Sequence, residues 1–255
     1  MTPTSLASTQ RRAASTERQH AGGNRALQEP VRARGPIGIA PAQAGTERSL
    51  AVKRVLDHTL AAVFLLLTAP IFALIALAIK ATSRGPVFFV QQRIGQGGRL
   101  FPFFKFRTMK HNSDDRAHRE FSRDFITGGN GVEGTGAKVY KLMRDPRVTA
   151  VGQFLRRTSL DELPQLFNVL RGEMSLVGPR PPLPYELEHY QDWHKRRLSI
   201  RPGITGLWQV SGRSSVPFDE MVLLDVYYIE HRSTLMDLRI MAKTLPVMFN
   251  GSGAY

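Results

Sequence analysis

The sequence predicts a small α/β domain, associated with a membrane through an apolar helix that contains a proline. Residues 59–79, TLAAVFLLLTAPIFALIALAI, run 21 positions without a charge. Behind them, short β-type runs and helix-period runs follow one another to residue 249. Hydrophobic content is 42% over 255 residues, enough for a real core beside a formal net charge of +14.

Residues 1–46 are rich in Ala, Gly, Ser, Thr, Gln and Pro and show no apolar period, so a disordered basic tail is expected. No apolar core follows its first arginines, which excludes a signal peptide. Residues 1–50 hold seven arginines against three glutamates, so most of the positive charge lies further on. That excess calls for an anionic partner: nucleic acid, a lipid surface or a phosphate-bearing substrate. Cysteine is absent. Disulfides, thiolate zinc sites and a cysteine nucleophile are thereby excluded, and a reducing compartment fits.

As a straight helix residues 59–79 measure about 31 Å, just enough to cross a bilayer. Pro70 lies near the middle, where it removes a backbone hydrogen bond. Lys53 and Arg54 precede the stretch, and Lys80, Arg84 and Arg93 follow it. Basic residues mark the cytoplasmic side, so a spanning helix should be asymmetric. A re-entrant hairpin and a kinked single span both remain open on these residues.

PVFFVQQRI and RLFPFFKFRTM flank the turn GQGG (95–98), predicting a β-hairpin over residues 85–109. Residues 111–136 are polar and glycine-rich and read as a mobile loop. Their GNGVEG matches GxGxxG, but no apolar strand precedes it and no clear helix follows, so the dinucleotide reading fails. Leu163, Leu166, Phe167 and Leu170 give a short amphipathic helix that Gly172 can end. Polar residues 185–198 read as a further helix, as do 218–231 and 234–249. The last is apolar along one side at Leu235, Leu238, Met241 and Leu245, with Asp237 elsewhere, and fits either a core or a membrane interface. Pro246 could end it.

TSLDELPQLFNVLRGEMSLVGPRP (158–181) raises the chemical question. Asp161 and Glu162 are adjacent acids in a basic chain. Ser159 and Glu162 fit a capping box. Pro164 disfavours it, and moving the cap to Asp161 puts the proline where no donor is needed. Asp161 would then sit at the positive end of the helix dipole. SLVGPRPP and SIRPGITG hold Arg180 and Arg201 in Pro/Gly turns, good settings for guanidinium–phosphate contacts. FFKFRTM sets Lys105 and Arg107 on one face of a strand. Cations alone bind phosphate; cations with carboxylates can hold Mg²⁺ and direct chemistry at phosphorus.

KFRTM, DPRVTAVGQFLRRTSLDELPQLFNVLRGEMSLVGPRP and RPGITGLWQVSGR, together with the basic-flanked apolar segment, resemble the bacterial sugar transferases of the monotopic phosphoglycosyl transferase type. The likeness runs from Lys53 to about Met248 and is greatest to the short exopolysaccharide-initiating members. It implies three parts: a tail (1–46), a re-entrant, proline-broken membrane helix (47–84), and a catalytic domain (85–255) with amphipathic interfacial helices. It implies transfer of hexose 1-phosphate, galactose or glucose favoured, from a UDP-sugar to undecaprenyl phosphate. The place is the cytoplasmic face of the inner membrane, UMP leaves, and no nucleic acid is bound. Asp161 matches the family nucleophile and a Mg²⁺ ligand, and Glu162 its catalytic partner. Arg156, Arg180 and Arg201 match arginines near substrate phosphates; Lys105 and Arg107 match the KFRTM strand. The family often has Ser-Pro at the helix break. Here Ala69-Pro70 stands instead, with Thr68 the candidate hydroxyl. A membrane-tethered nucleic-acid or anionic-lipid binding module would share the charge, but no helix-turn-helix, zinc spacing or RNP motif is present.

Overall fold

The computed structural model describes residues 47–110, 116–128, 147–211 and 216–249. The tail 1–46 and the GNGVEG stretch lie outside the described residues. The elements follow in the order α1 (Glu47–Thr82), β1 (Phe88–Ile94), β2 (Leu100–Phe106), α2 (Arg116–Ile126), α3 (Ala150–Arg157), α4 (Gln165–Leu170), β3 (Ser175–Val177), β4 (Gly203–Thr205), α5 (Leu207–Ser211), α6 (Phe218–His231) and α7 (Thr234–Phe249). Mixed helix and sheet with one long apolar helix agrees with the expected class.

Helix α1 continues through Pro70 for 36 residues. The proline has no N–H for the Leu66 carbonyl. Two residues earlier Thr68 Oγ1 donates to the Phe64 carbonyl at 2.6 Å, the backward bond for which that hydroxyl was singled out. One stripe of α1 packs inward along most of its length. Asp57 Oδ2 accepts from Ser175 Oγ at 2.7 Å, and Oδ1 from the Leu176 amide. Ala61 is buried in the main core. Phe72 meets the Phe106 and Phe167 rings at 5.0 and 5.9 Å. Ile75 and Ile79 pack with Phe106 and Leu155. The remaining surface is apolar and open: Leu66 is 77% exposed, and Leu67, Leu74 and Leu77 are nearly as much so.

The hairpin forms as predicted. Strands β1 and β2 pair antiparallel, with Phe89 opposite Lys105 and Phe88 opposite Phe106. The turn needs its glycines, since Gly97 and Gly98 have φ of 67° and 81°. Strands β3 and β4 form a second, parallel pair, with Ser175 opposite Gly203 and Val177 opposite Thr205. That pair joins two stretches read from sequence only as turns.

Two expectations are corrected, and a third, left open, is narrowed. Residues 116–126 form helix α2, not loop; Phe125 and Ile126 pack on Tyr190, Phe218 and Val222, giving a polar-looking segment an apolar anchor. Residues 185–198 form two short 3₁₀ turns, Leu187–His189 and His194–Ser199, instead of one helix. His194 and Tyr190 are drawn into the core between them, which a straight polar helix could not do. On α7, Asp237 is buried while Leu235, Leu238 and Leu245 are exposed. Lys53 Nζ at 2.8 Å and Tyr228 Oη at 2.6 Å satisfy that carboxylate, and Pro246 stays within the helix. Burial of Tyr228, aided by Asp237, pushes its hydroxyl pKa up. Buried Asp225 of α6, bonded by Arg197 at 2.7 Å, has its carboxyl pushed up to about 6 by burial, against the pull of that arginine.

Helix α3 presses on the end of β2 through Gly152. A Cβ there would stand 2.0 Å from the Thr108 carbonyl oxygen. Thr149 caps α3, accepting from the Gly152 amide at 3.0 Å. Gly152→Ala is therefore expected to destabilise the chain by about 3 kcal/mol or more. Thermal unfolding in detergent reads this; an unchanged midpoint would mean that helix and strand are not in contact.

Candidate active site

Three elements bring charged groups together. Strand β2 supplies Lys105, the 3₁₀ turn Leu160–Glu162 supplies Asp161 and Glu162, and the loop after β3 supplies Arg180. Lys105 Nζ lies 2.7 Å from Glu162 Oε1 and 3.7 Å from Asp161 Oδ2. Arg180 Nη1 lies 3.3 Å from the same Glu162 oxygen. Asp161 is buried and Glu162 partly so. Two cations thus compensate two adjacent acids.

Neither capping expectation survives. Ser159 has φ 56° and makes no side-chain cap bond; the α4 cap position falls on Pro164, also without one. The left-handed serine instead turns the chain sharply between α3 and the 3₁₀ turn, a conformation costing about 1–3 kcal/mol in a non-glycine residue. Pro164 starts α4, where its missing N–H is harmless.

The remaining cations are distributed differently from the expectation of one convergent set. Arg156 Nε donates to Thr108 Oγ1 at 3.0 Å, five residues before Asp161. Arg107 is buried and donates to the Ser83 carbonyl, the Ser83 hydroxyl and the Arg84 carbonyl at 2.8–2.9 Å. It fastens β2 to the exit of α1. The guanidinium of Arg201 lies against Gly172, at the opposite end of α4 from the acids. Its pKa is lowered, chiefly by burial and then by Arg54, with Asp57 opposing. That places it near the start of α1.

Residues that sequence reasoning passed over hold the site in register. Asn168 is completely buried on α4. Its Oδ1 accepts from the Phe104 amide at 3.2 Å, and its Nδ2 donates to the Pro102 carbonyl and to Glu173, each at 2.6 Å. The acid-bearing segment is thereby tied to the strand that carries Lys105. Arg93 Nη1 donates to the Pro181 carbonyl at 2.8 Å, and the Ile94 amide to the Pro182 carbonyl, fixing the Arg180 loop to β1. The available signal was an asparagine among Leu166, Phe167, Val169 and Leu170, a polar group inside an apolar pattern.

Among the described residues no group of three His, Cys, Asp or Glu gathers as a ready metal site. Two adjacent carboxylates nevertheless suit Mg²⁺, which usually takes one or two carboxylates and completes its shell with water and substrate phosphates.

The bacterial sugar transferase model matches residues 48–251. The chain is 45% identical over 206 residues to the galactosyl transferase CpsE of Streptococcus agalactiae, covering 80% of this chain and 44% of that protein. It is 43% identical to the undecaprenyl-phosphate galactose phosphotransferase of Salmonella typhimurium, covering 80% and 42%. It is 42% identical over 217 residues to the exopolysaccharide production protein ExoY of Rhizobium meliloti, covering 84% and 94%. The chain therefore spans less than half of the first two relatives and nearly all of the third.

Asn168→Leu would keep much of the volume but leave the Phe104 amide and the Pro102 carbonyl unpaired. A loss of about 3 kcal/mol is expected, with faster hydrogen exchange concentrated at Phe104. Uniform protection across β2 in the variant would remove Asn168 as the tie.

Proposed function

The chain belongs to the bacterial sugar transferase family, and from that premise we propose that it moves hexose 1-phosphate from a UDP-sugar to undecaprenyl phosphate, releasing UMP. The convergence of Lys105 and Arg180 on the Asp161–Glu162 pair carries this reading. A module that only bound anions would have no use for a partly buried acidic pair among its cations. The names of these relatives support galactose or glucose as the sugar and exopolysaccharide synthesis as the setting; the transfer is proposed as the first step of that synthesis.

In the proposed reaction a carboxylate oxygen of Asp161 attacks the β-phosphorus of the donor. The bond from that phosphorus to the bridging oxygen breaks, and its electron pair leaves on UMP. A phosphate oxygen of the acceptor then attacks the aspartyl phosphosugar, the acyl phosphate bond breaks at phosphorus, and the Asp161 carboxylate returns. Splitting one displacement into two gives each step a good nucleophile or leaving group. Lys105 and Arg180 offset charge on the phosphoryl oxygens, and Glu162 keeps both cations in place. Arg156 is close enough in sequence to join them on the phosphates, and Thr108 orients it. Arg107 contributes by fastening β2. Mg²⁺, held by Asp161 with Glu162 beside it, would supply further charge neutralisation on the diphosphate.

The acceptor lies in a bilayer, and the packing of α1 supports a monotopic, re-entrant placement. Contacts run from Asp57 to Ile79, about 33 Å of helix. A perpendicular span would drag the domain packed along it, and its charged site, into hydrocarbon. A shallow entry lets the exposed leucines meet lipid while the acidic pair stays at the boundary on the cytoplasmic face of the inner membrane. Phe88, Phe89 and Val90 are also exposed, and Phe89 stands opposite Lys105, so the apolar surface reaches the site's edge.

Asp161→Asn should reduce UMP release by about 10³-fold or more, and donor alone should leave a phosphosugar on Asp161 of the native chain, read by mass spectrometry of the peptide. Undiminished turnover in the variant removes Asp161 as nucleophile. Because the chain has no cysteine, single cysteines placed at the exposed positions Ser49 and Ala81 report topology directly. Both should react with an impermeant thiol reagent from the cytoplasmic side; labelling from opposite sides would establish a span.

A further inference from the structure

Away from the acidic pair, a groove of about 150 Å³ opens between the first turns of α1 and α7. Leu56 and Leu60 form one wall, Leu238 and Met241 the other. Room of that order takes a small apolar group. The floor is polar but satisfied. Lys53 Nζ lies 2.8 Å from Asp237 and 3.6 Å from Asp57, and Tyr228 and Ser175 bond the same two carboxylates. Each wall runs on into open apolar surface, through Val52 and Val55 on α1 and Leu235 and Leu245 on α7, all exposed. Two arginines stand at the head of the groove. Arg54 follows Lys53 on α1 and is exposed, whereas Arg201 is half-buried with its guanidinium against Gly172. Among the described residues neither guanidinium makes a hydrogen bond or an ion pair. The backbone explains their proximity: the Pro202 carbonyl accepts from the Ser175 amide, and Ser175 Oγ bonds Asp57, about one turn along α1 from Arg54. Asp57 is already engaged by Ser175, the Leu176 amide and Lys53. The fold thus holds two like charges together, and an anion bound between them would relieve their repulsion.

We infer that Arg54 and Arg201 clasp the phosphate of an acidic phospholipid whose acyl chain enters the groove between α1 and α7. The inference goes beyond the transfer reaction and needs only that α1 meets a lipid surface. Guanidinium groups suit phosphate oxygens. Basic side chains beside any membrane helix attract acidic lipid; here two of them adjoin an apolar groove, which gives the lipid a defined seat. A free phosphate would use the arginines and leave the groove empty. A zwitterionic lipid brings a cation with its phosphate and offsets less of the repulsion. The polyprenyl acceptor has to bring its phosphate to Asp161, and Arg201 stands at the other end of α4. A lipid seated there fixes the start of α1 at headgroup level, next to the strand that leads to Arg180.

The full chain in detergent is titrated with phosphatidylglycerol, with phosphatidylcholine of the same acyl chains, with inorganic phosphate and with undecaprenyl phosphate. Native mass spectrometry counts the lipid that each chain retains. Phosphatidylglycerol should be held in preference to phosphatidylcholine, and inorganic phosphate should not displace it. Arg54→Gln should weaken phosphatidylglycerol binding about fivefold, and Arg54→Gln with Arg201→Gln about twentyfold. Lys80→Gln, at the other end of α1, should leave it unchanged. Leu238→Gln, at an exposed wall position, should weaken it severalfold. The Arg54 side chain bonds nothing in the fold, so Arg54→Gln alone decides the matter if Arg201→Gln lowers stability. Equal binding of the two phospholipids, or an equal loss in Lys80→Gln, would mean general surface attraction and overturns the inference. Displacement by inorganic phosphate puts a soluble anion at the arginines, and preference for undecaprenyl phosphate makes the groove an acceptor site; either overturns it. In phosphatidylcholine nanodiscs Arg54→Gln should release UMP at the native rate, so the lipid site and the transfer reaction are read apart. A slower release there would place Arg54 in the transfer machinery and count against a separate lipid site.

Discussion

Helix α1 has to keep two unlike surfaces back to back, and the rest of the domain packs against one of them. Only 11% of its most apolar stretch is buried, yet the buried stripe includes an aspartate. A carboxylate on such a helix is tolerable because Asp57 is fully engaged: by Ser175 and Leu176 on β3, with Lys53 Nζ at 3.6 Å. Lys53 also reaches Asp237 of α7. The start of the helix is therefore locked by polar bonds, and its later turns by Phe72, Ile75 and Ile79 against β2, α3 and α4. Sliding α1 by one turn would expose an unpaired carboxylate and break the aromatic contacts together. The helix thus sets the height of the domain against any apolar phase that its open leucines enter.

The acidic pair is sustained by electrostatics rather than by the helix cap that its sequence suggests. Two unit charges about 4 Å apart interact by about 4 kcal/mol at the effective dielectric typical near a protein surface. Repulsion between neighbouring carboxylates is of that order or smaller. Lys105 contacts both acids and Arg180 contacts one, giving three attractive contacts within 3.7 Å. Attraction exceeds repulsion, so both acids can remain side by side in a partly buried site. A bound diphosphate would compete for the same two cations, which links substrate binding to release of the carboxylates for chemistry.

Much of the frame was legible in the sequence, because it rests on local chemistry. Alternating apolar residues about GQGG gave the hairpin, and period-3.6 patterns gave α4, α6 and α7. What escaped depended on partners distant in sequence. Helix α2 looks polar until Phe125 and Ile126 find Tyr190 and Phe218. Asp237 reads as a solvent residue until Lys53, 184 positions away, reaches it. The grouping of Lys105, Arg180 and the acids was anticipated by charge type and by family likeness. The separate placement of Arg107 and Arg201 was not, because a basic residue on a strand or in a rigid turn looks the same whether it faces phosphate or the chain itself.

The β1–β2 hairpin is the common reference for the whole site. Lys105 is part of it. The acid-bearing segment is registered to it by Asn168 on Pro102 and Phe104. The Arg180 loop is registered by Arg93 and by the Ile94 amide on Pro181 and Pro182. The exit of α1 is registered by Arg107. Rigid Pro/Gly turns alone would fix the local path of the Arg180 loop but not its distance from Glu162. Hydrogen bonds to one two-stranded element fix that distance, because displacement of any partner breaks a buried or part-buried bond, at about 1–3 kcal/mol for each group left buried and unpaired. Two buried arginines are therefore spent on geometry so that Lys105 and Arg180 can act on charge. Of these four cations, Arg93 and Arg107 bond carbonyls and hold the frame, whereas Lys105 and Arg180 face the acidic pair.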